Sequence, residues 1–252
     1  AASFRVFGET PWAARLPTRI AGLGTTLLLV LAAGRRRRDG LAAGILLLAS
    51  PIGFLMARTN LTDGLLTFCF TATLLAGRAA IRRRETGGAW LAFAGASGAA
   101  AAGAFLTKGL VALALPAVIL FLWCLSTGRL RQLGALVASP ATPVFLALAA
   151  PWFLLVERRH PGFLQFFFIR EHFQRFATGA AKRPGPIYYF VPVFLLGFLP
   201  GLAFFFAGLP RWRRFRREDD GAFFFLLWFL TVFAFFSISK SKLPPYLFPA
   251  MP

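Results

Sequence analysis

Side chains able to do chemistry are concentrated in four short stretches of an otherwise very apolar chain: Asn60-Leu61-Thr62-Asp63, Thr107-Lys108-Gly109, Glu171-His172-Phe173-Gln174-Arg175-Phe176, and Ser239-Lys240-Ser241-Lys242-Leu243-Pro244-Pro245-Tyr246. Counting the apolar segments between them puts all four on one side of a membrane. Acid, cations and aromatic rings gathered at one mouth of a helical bundle suit a phosphate-bearing substrate, because collecting such groups at membrane depth is costly unless function requires it.

The elements that must hold these residues follow from composition. Of 252 residues, 58% are hydrophobic and 31 are Phe, and the mean hydropathy is +0.67. Apolar runs of about 18 to 20 residues match the helix length that crosses a bilayer. The expected fold is therefore all-α, a polytopic transmembrane bundle of eight spans near residues 17–34, 41–57, 64–81, 88–107, 109–126, 134–155, 187–208 and 221–238. No repeat of fixed period and no low-complexity linker divides residues 1–252, so one domain is expected. Cys69 and Cys124 both lie in apolar runs, as packing residues do.

A net charge of +19 would ordinarily point to nucleic acid. Here the arginines sit in short loops between apolar spans, Arg35–Arg38, Arg82–Arg84 with Arg78, Arg129 with Arg131, and the run from Arg211 to Arg217. That pattern marks the cytoplasmic side of a membrane protein, so membrane lipid is the expected partner and nucleic acid is not. The four polar stretches then face outward. The loop from about 156 to 186 carries Phe166, Phe167, Phe168, Phe173 and Phe176 among its charges, and is read as an amphipathic helix lying at the outer interface.

Each candidate residue has a plain reading beside a functional one. Asp63 opens the third span, where an acid serves as a helix cap, or it faces Lys108 in a cavity. Lys108 stands between two long apolar runs, where it snorkels to the interface, pairs with Asp63 or meets a phosphate. Lys240, Lys242 and Tyr246 are interfacial anchors or a proline-stiffened phosphate clamp. Tyr188 and Tyr189 belong to an aromatic belt or a sugar-binding wall. Glu171 and His172, with His160, are too loosely spaced to define a metal site, and His172 equally suits a hydrogen bond to substrate.

Asn60 to Leu65, Ala104-Phe105-Leu106-Thr107-Lys108-Gly109, Pro151-Trp152-Phe153, Glu171 to Phe176, Tyr188-Tyr189 and Ser239 to Pro249 occur in an order that resembles the bacterial family 39 glycosyltransferases, especially the aminoarabinose transferases that modify lipid A. Phe7-Gly8-Glu9-Thr10-Pro11-Trp12 resembles the segment leading into that family's second helix. The resemblance implies a GT-C fold and a polyprenyl-phosphate-linked sugar as donor. It further implies transfer to lipid A or another envelope glycan at the outer face of the inner membrane. No firm cofactor is implied, and a divalent metal stays open. It places Asp63 and Lys108 in the active-site cavity, with Lys108 engaging the donor phosphate, and adds Arg58, Arg175, Lys240 and Lys242 as further phosphate contacts. The chain departs from the family at Ile187, where a Trp is frequent, and at Gly64, where Ala is common. It also lacks the family's first helix, its first outer loop with a further acid, and its C-terminal outer domain, so this stretch alone is expected to be inactive.

Two other classes compete. A flippase or transporter of lipid-linked sugars also needs a polar cavity, but no inverted repeat and no set of deep ionisable residues is present. A structural membrane subunit would use the same polar groups as anchors.

Overall fold

With lipid around it a backbone must satisfy its own hydrogen bonds, and the long apolar runs of this chain fold as helix. A computed structural model describes residues 2–59, 61–169, 185–208, 210 and 220–252. The helices used below are α2 (Pro11–Ala32), α3 (Arg37–Ala49), α4 (Pro51–Arg58), α5 (Asp63–Glu85), α6 (Leu91–Lys108), α7 (Leu110–Thr127), α8 (Leu130–Leu136) and α9 (Thr142–Arg159), followed by the Asp220–Ile238 helix.

Five helical stretches are long and apolar enough to cross a membrane, namely α2, α5, α7, Leu130–Arg159 and Asp220–Ile238, and two bent pairs raise the number to seven. The expected count of about eight is thus met only roughly. Residues 41–57 bend by 66° between α3 and α4, because Ser50 stops one helix and starts the next: its hydroxyl donates to Leu47 O (2.6 Å) and accepts from Gly53 N (3.1 Å), with Pro51 following. Residues 187–208 bend by 113° between Ile187–Gly197 and Leu202–Gly208. The eighth expected span is α6, whose Ala and Gly content makes it less apolar than its neighbours.

Small residues are what α6 contributes. A Cβ on Gly98 would fall 2.1 Å from Ala141 O, and one on Gly103 would fall 2.9 Å from Cys69 Sγ, so α5 and the start of α9 approach its backbone closely. Ser97 adds a hydrogen bond to Thr73 O of α5 (2.9 Å). Between α8 and α9 the helix breaks at Ser139 (φ −95°, ψ −174°), the residue before Pro140, since a proline disfavours helical geometry in its predecessor. The freed carbonyls are satisfied locally: Ser139 Oγ donates to Leu136 O (2.6 Å) and Thr142 Oγ1 to Val137 O (2.6 Å).

Many of the side chains exposed on the surface are apolar. Ile20, Leu23, Leu27 and Leu31 form one exposed stripe of α2, the i, i+3, i+4 spacing of a helix face turned toward lipid. Of the expected amphipathic loop, the described part holds a helical turn, Phe163–Gln165, that continues as π-helix through 166–169, its start fixed by Glu157, whose carboxylate accepts from Gly162 N (2.9 Å) and Leu164 N (2.7 Å). Residues 170–184, with Glu171, His172 and Arg175, lie outside the described residues, as does the arginine run of 211–219.

At the end of α5 remote from Asp63, three elements meet on Asp220. Its carboxylate accepts from Arg78 (3.0 Å), Arg82 (3.4 Å), Arg129 (2.8 Å) and Trp123 Nε1 (3.1 Å), while Arg129 also pairs with Glu85 (2.8 Å). Removing the charge leaves part-buried guanidinium groups unmatched, at a cost of roughly 2–4 kcal/mol after allowance for partial exposure. Asp220→Asn is expected to lower the thermal unfolding midpoint in detergent by several degrees; a midpoint equal to wild type would show that the cluster does not clamp the bundle.

Candidate functional site

The antiparallel run of α5 and α6 brings two charges together that stand 45 residues apart. Asp63 is the first residue of α5, where the helix dipole favours an anion, and Lys108 is the last of α6, where it favours a cation. Their side chains form an ion pair, with Asp63 buried and Lys108 partly open. Gly109 then takes φ +72°, ψ −149°, a conformation open in practice only to glycine, which allows α7 to start at once and leaves Lys108 at a helix end.

The ammonium of Lys108 also lies 4.6 Å from the centre of the Tyr246 ring. Tyr246 reaches it because the Pro244–Ala250 turn is folded into the bundle: Trp228 Nε1 donates to Pro249 O (2.7 Å), and Leu247, Phe248, Pro249 and Ala250 are buried. Phe236 packs against Tyr246 as well, with ring centres 5.3 Å apart and the rings tilted by 35°.

Beside this pair opens a cavity of about 960 Å³. Its walls are almost wholly apolar, with Phe105, Trp152, Phe153 and Phe167 on one side and Phe235 and Phe236 on another; Thr107, Lys108, Ser239, Ser241 and Tyr246 supply its polar lining. Phe105 and Phe153 pack at 5.1 Å, and Phe153 and Phe167 likewise at 5.1 Å, so the turn after α9 covers part of the cavity. Such a space takes a ligand that is mostly hydrocarbon with one anionic group beside the ammonium.

The other residues singled out from sequence are placed as follows. Lys242 is buried, and its ammonium donates to Phe236 O (3.3 Å), Ser237 O (2.7 Å) and Ser239 O (2.9 Å), capping the C-terminus of the Asp220–Ile238 helix. Burial pushes its pKa down from the ordinary lysine value. Lys240 is exposed. Arg58 is exposed at the end of α4, its guanidinium 4.9 Å from the Phe54 ring centre. Tyr189 is half-buried against Phe190, with ring centres 5.1 Å apart, whereas Tyr188 is exposed. Among the described residues no three His, Cys, Asp or Glu side chains gather as a metal site. Sequence reasoning missed Thr18, whose hydroxyl reaches Leu61 O (3.5 Å) just ahead of Asp63, and which is one of three threonines in α2 with nothing in the sequence to set it apart.

A membrane-embedded helical bundle with an ammonium–carboxylate pair beside a lipid-sized cavity is the architecture of a GT-C-like membrane protein. The chain belongs to the dolichyl-phosphate-mannose-protein mannosyltransferase family, whose model matches residues 1–155. It is 32% identical over 98% of its length to an undecaprenyl phosphate-alpha-4-amino-4-deoxy-L-arabinose arabinosyl transferase of Proteus mirabilis, covering 45% of that protein. Against the corresponding transferase of Serratia proteamaculans the identity is 32%, over 98% of this chain and 44% of that one. Among solved structures, ArnT from Cupriavidus metallidurans bound to undecaprenyl phosphate is similar with a TM-score of 0.85 and 32% identity, over 99% of this chain and 46% of that one. The chain thus spans about half the length of the curated relatives it matches.

Lys242 makes a stability prediction separable from chemistry. Hydrogen bonds from a charged donor contribute about 1.5–3 kcal/mol net, so Lys242→Met is expected to lower the thermal midpoint clearly and to raise proteolysis of the 239–246 turn. Unchanged melting and proteolysis would mean that the helix end does not depend on this cap.

Proposed function

We propose that the chain is the membrane-embedded part of a glycosyltransferase. It moves a sugar from a polyprenyl-phosphate-linked donor to a lipid A-like or other envelope acceptor at the outer face of the bacterial inner membrane. The single observation that carries this reading is the Lys108 ammonium, paired with Asp63, beside an apolar cavity of about 960 Å³. The names of the relatives support it, each specifying an undecaprenyl-phosphate-linked aminoarabinose donor, and so does the undecaprenyl phosphate bound by the similar ArnT structure.

In the reaction the bond between the anomeric carbon and the donor phosphate oxygen breaks while an acceptor oxygen bonds to that carbon. The electron pair leaves with the polyprenyl phosphate, and the acceptor proton passes to a base. Charge grows on the departing phosphate, and an ammonium already in place lowers the barrier without reorganising. Lys108 has that role, Asp63 holds it in line, and the Tyr246 ring face steadies the cation at the cavity edge. The cavity walls receive the prenyl chain. If the acceptor is itself a phosphate, its oxygen is already a nucleophile and no strong base is needed. Arg58, Arg175, Lys240, Glu171, His172, Tyr188 and Tyr189 remain candidates for substrate contacts around this centre.

The test uses the full-length protein in proteoliposomes with an undecaprenyl-phosphate-linked aminopentose and lipid A. Asp63→Asn and Lys108→Met are each expected to lower product formation by about a hundredfold or more, the scale for losing one charge-stabilising group. The double variant, which leaves neither charge unpaired, is expected to fold and remain as inactive. Wild-type rates in the variants would return both residues to an anchoring role. A wild type that forms no product yet moves lipid-linked sugar across the bilayer would replace the transferase reading with a flippase.

A further inference from the structure

The start of α5 is held by α2. Arg19 Nε donates to Ala57 O (3.4 Å) and Thr18 Oγ1 donates to Leu61 O (3.5 Å), so neighbouring residues of one helix tie both ends of the link that leads into Asp63. At the same level Gly64 has no room for a side chain: a Cβ there would lie 2.5 Å from Thr18 Cγ2, far inside the usual carbon–carbon contact of about 3.5–4.0 Å. Gly64 is not among the glycines with positive φ, so backbone conformation does not call for it. A glycine in a helix costs about 1 kcal/mol relative to alanine, and here only the close approach of Thr18 explains it. Thr18 is buried, and its methyl and hydroxyl share one Cβ, so rotating the methyl away pulls the hydroxyl off Leu61 O.

We propose that the close passage of Thr18 over Gly64, which lets the Thr18 hydroxyl reach Leu61 O, is a positioning device for Asp63: the hydroxyl tie fixes the depth and rotation of the first turn of α5 and thereby sets the carboxylate against Lys108. A side chain at residue 64 wedges α2 from α5 beside the residue that carries the charge. Only the kinetic arm of the test rests on the transferase reading above.

Three variants of the full-length protein separate the contact from general destabilisation: Gly64→Ala, Thr18→Ser and the two combined. Serine keeps the hydroxyl and lacks Cγ2, the one atom in the way. The first readout is the rate at which acetic anhydride acylates Lys108, followed by mass spectrometry, because an ammonium ion-paired to Asp63 reacts slowly. Gly64→Ala is expected to raise that rate severalfold, Thr18→Ser alone to leave it unchanged, and the double variant to return it close to wild type. The second readout is transfer: Gly64→Ala is expected to lower kcat by about tenfold or more with little change in donor KM, as displaced catalytic groups do, and the double variant to restore it. Wild-type labelling in Gly64→Ala, or a rise that Thr18→Ser does not reverse, overturns the proposal. Should Gly64→Ala not reach the membrane, recovery of yield and of slow labelling in the double variant upholds the inference, and equal loss in the double variant overturns it. If the wild type transfers nothing, the transferase reading fails while the labelling series still decides the contact.

Discussion

Taking a lysine out of water costs several kcal/mol unless an opposite charge and further polar contacts meet it, and in this chain that demand is met by elements brought from three places. Asp63 comes from the start of α5, the helix carbonyl dipoles from the end of α6, and the ring face from Tyr246 on the Pro244–Ala250 turn. Each of these rests on something further in. The Tyr246 turn is fixed by Trp228, the end of α6 by the conformation of Gly109, and the start of α5 by α2. The ion pair is thus the point on which the packing at this end of the bundle converges.

Helix α5 carries a second charged assembly at its other end. From Asp63 to Arg78 is about 22 Å along a helix at 1.5 Å per residue, most of the thickness of a hydrocarbon core. Arg78 and Arg82 there meet Asp220 together with Arg129. Both assemblies join helices far apart in sequence, and between them the core is filled by Phe70, Leu74, Ile119, Trp123, Phe224 and Trp228. The one helix most buried along its length is therefore pinned at both membrane faces, while its middle supplies packing.

Much of this was legible in the sequence, for physical reasons that differ by element. Long runs of Leu, Phe and Ala have one stable form in lipid, so the helical bundle and the approximate places of α2, α5, α7 and the Asp220–Ile238 helix could be read directly. Helix α6 is apolar chiefly through its alanines, and its small side chains also let Cys69 and Ala141 approach. Lys108 stood out because nothing near it in sequence balances its charge. Lys242 stood out as part of a proline-stiffened pair of lysines, but its ammonium is taken up by three backbone carbonyls at the end of the preceding helix, which no side-chain pattern announces. Asp220 escaped notice beside the arginines of its loop because its partners come from α5 and from Arg129. The bends at Ser50 and Ser139 have a signal in Ser-Pro, though their angles depend on what packs against each half.

The break at Ser139 bears on how the chain tolerates its surroundings. A kink in a membrane helix usually borrows a neighbour or a water to satisfy the carbonyls it releases. Here the hydroxyls of Ser139 and Thr142 do so from within four residues of those carbonyls or little more. The joint is therefore self-contained. The half before it follows Arg129 and Arg131, while the half after it turns Trp152 and Phe153 toward the cavity, with Gly98 of α6 packed against the joint at Ala141. The wall of the cavity is thereby carried on a helix whose direction at its start is backed by hydroxyls of the joint itself and not by a borrowed neighbour.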